Sequence, residues 1–315
     1  MDADKCRGAL LGLAVADALG VPVEFESRAR RRLDPVASMR EYGTHHQPVG
    51  TWSDDSSLTF CLAESLAKIG AYAIDTHDLS RRFINWLDFG YWTPHGQVFD
   101  VGVATRAAIA QLRAGVAPEK AGGQGNYDNG NGALMRILPL VFHPLWQQAA
   151  AAERQRLTHR VGSPTHGHYR STLACYLYLE MAWGLVQGLT LAQAHQQLLR
   201  EVVPALLPKL AKEIHHFTRV LDAQLALIPE ADIHSSGYVV HTLEAALWCL
   251  LRGQFYADTV LTAVNLGDDT DTTGAVAGGL AGLYYGAAQI PADWLQVLVK
   301  RAEIEALADR LSELK

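Results

Sequence analysis

Two short acidic segments, far apart in the chain, carry the residue types best suited to chemistry. The first is Gly50-Thr51-Trp52-Ser53-Asp54-Asp55-Ser56. The second is Asn265-Leu266-Gly267-Asp268-Asp269-Thr270-Asp271-Thr272-Thr273-Gly274. Each stands at the mouth of a helix-patterned stretch. Ser53 or Asp54 is a natural N-cap, and acids in a first turn complement the helix dipole. Capping accounts for one such acid; two adjacent acids with flanking hydroxyls exceed what a cap requires. Hard cations such as Mg²⁺ and Mn²⁺ take carboxylate, hydroxyl and water oxygens, and Asp269-x-Asp271 with Thr272 offers them. Residues two apart point the same way in an extended stretch and nearly opposite ways on a helix. The spacing therefore predicts that Asp269 and Asp271, if they share an ion, lie in the loop just before the helix. The spaced acids and terminal Glu of an EF-hand are missing.

Charge sharpens the choice. Asp54, Asp55, Asp269 and Asp271 would bring four negative charges together, against roughly half a positive charge at each helix N-terminus. Unpaired, they would repel or take up protons. One or two divalent ions resolve this, and two ions about 3.5–4 Å apart are the economical arrangement. If the segments do not meet, they are two independent capped helices; the residues alone leave both readings open.

Two further segments are weaker signals. Gly125-Asn126-Tyr127-Asp128-Asn129-Gly130-Asn131-Gly132 exposes backbone N–H groups before Ala133-Leu134-Met135-Arg136, which suits a phosphate. It lacks the Lys of a P-loop and the strand of a dinucleotide fold, and a plain turn explains it as well. His166 and His168, in Ser163-Pro164-Thr165-His166-Gly167-His168, could ligate a transition metal or be ordinary loop histidines. No Ser-His-Asp elbow is present.

Helices must position these residues. Apolar spacing predicts helix or helix pairs over 4–20, 55–69, 77–88, 102–114, 168–187, 190–203, 209–227, 238–252, 257–265, 273–287 and 292–312; Leu58, Cys61, Leu62, Ser65, Leu66 and Ile69 show the i, i+3, i+4 pattern in the second. No apolar–polar alternation calls for a sheet. The irregular stretches are about 21–52, 89–101 and 115–132, lengths that in a compact domain usually carry function. No low-complexity linker divides the chain, so residues 1–315 read as one all-α domain. Gly8, Gly12, Ala16 and Gly20 recur every fourth residue, as do Gly274, Gly278, Gly282 and Gly286. Glycine costs about 1 kcal/mol in a helix interior relative to alanine, so such stripes need a reason. Close packing of the first helix on the 273–287 helix would supply it and carry Asp17 and Glu24 toward Asp269 and Asp271. The alternative is that each stripe packs on some other helix.

Composition bounds the rest. The 315 residues are 49% hydrophobic and 19% charged, with net charge −6, enough for a sizeable core and too acidic for general nucleic-acid binding, which needs Lys and Arg against phosphates. The one dense basic run, Arg28, Arg30, Arg31 and Arg32, reads as a solvated loop. Cys6, Cys61, Cys175 and Cys249 form no CxxC, and three lie in apolar helical stretches, as in a reducing compartment. The N-terminus is not a signal peptide, and Asp17 interrupts the apolar run that follows it. A soluble, cytoplasmic protein is expected, and a monomer fits this length.

Taken in order along nearly the whole chain, the motifs resemble the ADP-ribosylglycohydrolase family, which includes the dinitrogenase reductase-activating glycohydrolase. They are Gly8-Ala9-Leu10-Leu11-Gly12 through Asp17-Ala18-Leu19-Gly20 to Glu24; Trp52-Ser53-Asp54-Asp55; Phe99-Asp100-Val101-Gly102; Gly130-Asn131-Gly132-Ala133-Leu134-Met135-Arg136; Thr165-His166; Gly237-Tyr238-Val239-Val240 with Leu243-Glu244-Ala245-Ala246-Leu247-Trp248; and Gly267-Asp268-Asp269-Thr270-Asp271-Thr272. The resemblance implies a compact orthogonal helical bundle with two Mg²⁺ or Mn²⁺ ions at the bottom of a cleft. It implies Ser53, Asp54, Asp55, Asp269, Asp271 and Thr272 as ligands, and Glu24 and Asp100 as acids at the reacting centre. Gly130, Asn131, Gly132 and His166 would contact the phosphates and riboses of ADP-ribose. Four positions depart from the family pattern: Ser53 and Ser56 stand where Thr is usual, Asp268 replaces Gly or Asn, and His241 replaces an Asp. None removes a carboxylate ligand.

The implied activity is metal-dependent cleavage of the glycosidic bond between ADP-ribose and an acceptor, on a protein or a small molecule. A carboxylate would act as general acid or base, as paired carboxylates do in sugar hydrolysis. Two rivals stay open: a metal-dependent phosphohydrolase using the same acids, and a non-catalytic ADP-ribose binder on the same fold. Acceptor identity, the choice of Mg²⁺ or Mn²⁺ and oligomeric state are not legible in the sequence.

Overall fold

A computed structural model describes residues 2–314, and among them no β-strand forms; only isolated bridges occur. The longer helices are α1 (Ala3–Gly20), α2 (Asp54–Ile69), α3 (Thr76–Phe89), α4 (Val103–Arg113), α5 (Ala151–Gly162), α6 (Tyr169–Val186), α7 (Val239–Arg252), α8 (Tyr256–Asn265), α9 (Thr270–Tyr285) and α10 (Arg301–Ser312).

Helices α1, α6 and α9 are apolar on nearly every side, and the fold buries each of them along almost its whole length. That is where an all-round apolar helix has to go. With Asp17 inside it, the stretch Ala3–Val23 is still long and apolar enough to cross a membrane, contrary to the expectation that Asp17 cuts it short. In the fold, 94% of its most apolar window is buried.

The glycine stripes pair α1 with α9 directly. A methyl placed on Gly282 would stand 1.9 Å from the Gly8 carbonyl oxygen, and one on Gly278 would stand 2.5 Å from that of Gly12. At Gly20 it would meet the Asp271 Cα at 2.3 Å. Two backbones this close leave no room for side chains between them. Tyr256 of α8 donates its hydroxyl hydrogen to the Gly12 carbonyl at 2.6 Å, and Tyr178 of α6 to that of Val276 at 3.0 Å.

Several expectations need correction. Helix α9 begins at Thr270, not 273, so Asp271 lies in its first turn and only Asp269 precedes it, as the N-cap residue. The 209–227 stretch is short helical turns, Pro208–Ala211, Ile214–Phe217 and Leu225–Leu227, in place of one helix. Residues 190–203 begin as helix Leu191–Gln197 and continue as a wider π-type turn, Leu198–Val202, before Pro204. The 292–312 stretch, by contrast, is a helix pair as expected, Ala292–Val297 and Arg301–Ser312, parted at left-handed Lys300. Helix α5 was not anticipated, because its polar sequence Ala-Ala-Glu-Arg-Gln-Arg buries only a narrow stripe through Gln155, Leu157, Thr158 and Val161.

The basic run is solvated at Arg30 and Arg32, as expected, but it is not a loop. It forms the short helix Arg28–Leu33. Arg31 is 1% exposed and paired with Glu26. Arg28 donates to the carbonyls of Leu266, Glu230 and Ile233. All four cysteines are buried and none forms a disulfide.

Candidate active site

The α1–α9 pairing carries Asp17 to the start of α2. Asp17, fully buried, accepts from the Ser53 N–H at 2.9 Å, the Ser56 N–H at 3.0 Å and the Ser56 hydroxyl at 2.5 Å. It thus caps α2 from another helix. Ser53, the formal N-cap, accepts from the Asp55 N–H and donates its hydroxyl to Asp55 Oδ2 at 3.0 Å. Thr272 of α9 donates to the same Oδ2 at 3.3 Å. The two acidic segments therefore meet.

Carboxylate oxygens of Asp17, Asp55 and Asp271 lie within 4.8 Å of one another, as do those of Glu24, Asp269 and Asp271. Asp271 belongs to both groups and joins them. Its position in the first turn of α9 does not prevent convergence with Asp269, because Asp269 approaches from outside the helix. Three oxygens in this nest, Asp55 Oδ1, Asp269 Oδ1 and Asp271 Oδ2, are buried with no hydrogen-bond partner. An ionised oxygen without a donor is costly to bury. Burial first, and the charges of neighbouring carboxylates next, push Asp54, Asp55 and Asp271 well above the ordinary aspartate range. Burial raises Asp269 as well, against hydrogen bonds from Asn131 and Thr272 that favour its charge. Orphaned oxygens at close mutual range are what a divalent cation satisfies, so the donor set fits a hard metal ion.

Asp269 is held from two sides. Its N–H donates to the Ser235 carbonyl at 3.0 Å, and its Oδ2 accepts from the Asn131 amide at 2.7 Å. That amide also reaches Thr242 Oγ1 at 2.9 Å. The 129–131 strip is bonded to the 237–239 strip through Asn131 N–H to the Gly237 carbonyl and Val239 N–H to the Asn129 carbonyl. The side chain of Asn131 is thereby committed to positioning an acid.

Above this nest opens a cleft of about 370 Å³. Glu24, Asp54, Asp100, Asp269 and Thr272 line one group of positions, and Gly130, Asn131, Gly132 and His166 another. His166 packs against the loop: a methyl on Gly132 would stand 2.7 Å from its ring. Burial, then the charge of Arg136, drops its pKa to about 3, so the ring is neutral. Arg136, itself fully buried, donates to the Val161 and Gly162 carbonyls and to Thr165 Oγ1 at 2.8 Å, fixing the turn that presents His166. His168 faces the other way, capping α6 through the Arg170 N–H, so the two histidines form no metal pair.

Glu24 lies 6% exposed at the cleft. Burial raises its pKa to about 7, with the Asp100 and Asp269 charges adding to the rise and a hydrogen bond to His45 opposing it. His45 Nε2 contacts Glu24 Oε2, and that contact raises the histidine in turn. Sequence reasoning missed His45, which sits in an unpatterned loop; it also missed Arg136, Ser235 and Thr242 as supports, since their partners are 25 to 111 residues away.

The family model of the ADP-ribosylglycohydrolases matches residues 1–315. This chain belongs to the ADP-ribosylglycohydrolase family. Among its relatives, the ADP-ribosylarginine hydrolase Tri1 of Pseudomonas putida (strain GB-1) is 32% identical over 98% of this chain and 78% of its own length. The ADP-ribosyl-[dinitrogen reductase] glycohydrolase of Rhodospirillum rubrum is 30% identical over 96% of this chain and 92% of its own. A solved structure described as an ADP-ribosylglycohydrolase-related protein complex superposes with a TM-score of 0.81 at 34% identity, covering 99% of this chain and 98% of that one. The all-α fold is that of the family.

Proposed function

We propose that this protein is a metal-dependent hydrolase that cleaves the glycosidic bond between ADP-ribose and an acceptor on a protein or small molecule. The observation that carries the reading is the nest of buried carboxylate oxygens, three of them without a hydrogen-bond partner, at the base of the cleft. Family membership supports it. Relatives are named as hydrolases of ADP-ribosylarginine and of ADP-ribosyl-dinitrogen reductase.

Asp55, Asp269 and Asp271, with Thr272, Ser53 and Asp54 around them, would hold two divalent cations, Mg²⁺ or Mn²⁺. Such ions supply Lewis-acid charge beside the reacting sugar and orient its hydroxyls. The chain's own residues do the rest. The backbone N–H groups of Gly130 and Gly132 and the neutral ring of His166 suit the diphosphate and ribose, giving binding energy remote from the reacting bond; the Asn131 N–H is taken by the Gly237 carbonyl. Asn131 fixes Asp269. Glu24, with its proton held near neutrality by burial and His45, is placed as general acid or base, and Asp100 is the second carboxylate of the pair. The same reading takes residues 1–315 as one domain built on a continuous core. It takes the protein as a cytoplasmic monomer without membrane attachment; the buried, unbridged cysteines and the burial of Ala3–Val23 support the location.

The test is Asp269→Ala and Asp271→Ala, assayed on ADP-ribosylated arginine and serine with Mg²⁺ and with Mn²⁺, alongside calorimetric metal titration. Each variant should lose activity by at least about 100-fold and should bind metal more weakly. Full activity in both would refute the metal assignment. Release of inorganic phosphate in place of ADP-ribose would identify a phosphohydrolase, and tight ADP-ribose binding without turnover a non-catalytic binder.

A further inference from the structure

Phe25 lines the cleft directly after Glu24 and is 68% exposed. Its backbone is left-handed, with φ +64. A bulky side chain is rarely found there, and the conformation persists only when surrounding structure enforces it. The enforcement is a reciprocal clamp. The Phe25 N–H donates to the Asp268 carbonyl at 2.7 Å, and the Asp268 N–H donates to the Glu26 carbonyl at 2.8 Å. Asp268 is itself left-handed at φ +58. Glycine at position 25 would relieve the strain and remove an apolar ring from water, so the phenylalanine is unfavourable on both counts as the chain stands. Such a residue at a cleft mouth is a candidate for contact with substrate.

The surroundings indicate which part of the substrate. The His45 ring lies 6.0 Å from that of Phe25, and Phe99 lies 5.3 Å beyond His45, so the ring ends an aromatic row that backs Glu24. The clamp also joins Phe25 to the turn that delivers Asp269. Its ring therefore belongs with the acids of the reacting centre, where the acceptor departs.

We propose that Phe25 is the acceptor-positioning residue: its ring face supports the group leaving the anomeric carbon and selects flat, charge-delocalised acceptors of the guanidinium kind over hydroxyl-linked ones. A planar cation is attracted to an aromatic face within about 6 Å, and the Asp100 carboxylate lines the same cleft. This rests on the hydrolase reading above.

The experiment compares wild type, Phe25→Gly and Phe25→Tyr on small-molecule ADP-ribosyl-guanidine and ADP-ribosyl-serine substrates, with the Kd of free ADP-ribose measured for each. Phe25→Gly should lose about tenfold in kcat/KM on the guanidine substrate. On the serine substrate it should lose no more than about twofold, with the Kd of ADP-ribose equally steady. Phe25→Tyr, which restores the ring, should recover the guanidine activity. Equal losses on both substrates, a weakened ADP-ribose Kd, or no loss at all would overturn the proposal while leaving the hydrolase reading standing. A wild-type protein inactive on both linkages would overturn the hydrolase reading and this proposal with it.

Discussion

Asp17 illustrates how one carboxylate can serve both the fold and the site. Its oxygens accept from the Ser53 and Ser56 N–H groups and the Ser56 hydroxyl, which satisfies donors at the start of α2. One of its oxygens also lies within 4.8 Å of Asp55 and Asp271 oxygens. Burial lifts its pKa to about 6 even against those serine donors. Asp17→Ala would strand three buried donors, so we expect a loss of about 3 kcal/mol in unfolding free energy, measured by denaturant titration. A loss under about 0.5 kcal/mol would mean that α2 does not depend on this cap. The sequence gives no hint of this role, because the donors are 36 and 39 residues away. Ser53, Asp54, Asp55, Asp269, Asp271 and Thr272, by contrast, stand out as residues, because clustered acids and hydroxyls at helix starts exceed what capping needs.

Among the elements, the α1–α9 pair sets the distance between the two acidic segments. Gly282→Ala is the sharpest probe. Its helix propensity favours alanine by about 1 kcal/mol, yet the new methyl would stand 1.9 Å from the Gly8 carbonyl oxygen, a backbone atom that cannot swing away. Overpacking should win, lowering stability by about 3 kcal/mol with a clear fall in Tm. Gly162→Ala is the control: in α5 its methyl would find nothing closer than Ala133 Cβ at 3.9 Å, and its Tm should barely move. Comparable melting temperatures for the two variants would contradict the close approach. The repeat of small residues was visible in the sequence, and the direct α1–α9 pairing was one of the two readings it offered; the structure chose between them, since a stripe of glycines says only that something comes near.

For the molecule as a whole, acid sensitivity offers a test away from the site. Burial works against the Asp78 carboxylate, but hydrogen bonds from Arg82 and Ser65 and the charges of Arg82 and Lys68 overcome it and hold its pKa at about 2, below the ordinary 3.8. Arg82 bonds it at 2.7 Å and also contacts Glu64, so the group links α2 to α3. A carboxyl depressed on folding binds protons more readily when unfolded. Its stabilisation, about 2 kcal/mol for a shift of this size, is therefore complete above pH 4 or so and disappears as the pH falls toward 2. Asp78→Asn should lower Tm at pH 6 and converge on wild type near pH 2. Parallel Tm curves across that window would show that Asp78 is not linked to folding in this way.

The sequence by itself determined the all-helical class, through apolar spacing; the identity of the acids; and the family, through ordered motifs. These are local properties, set by residue type and short-range periodicity. Tertiary structure alone decided that the two acidic segments converge, that Asp271 does so from within α9, that Asn131 serves Asp269, and that Glu24 bonds His45. It also decided that the basic run is structural, with Arg28 and Arg31 spent on carbonyls and carboxylates. Each of these depends on which backbones come close, a choice fixed by packing over long sequence separations and by which polar groups are left to find one another once water is gone.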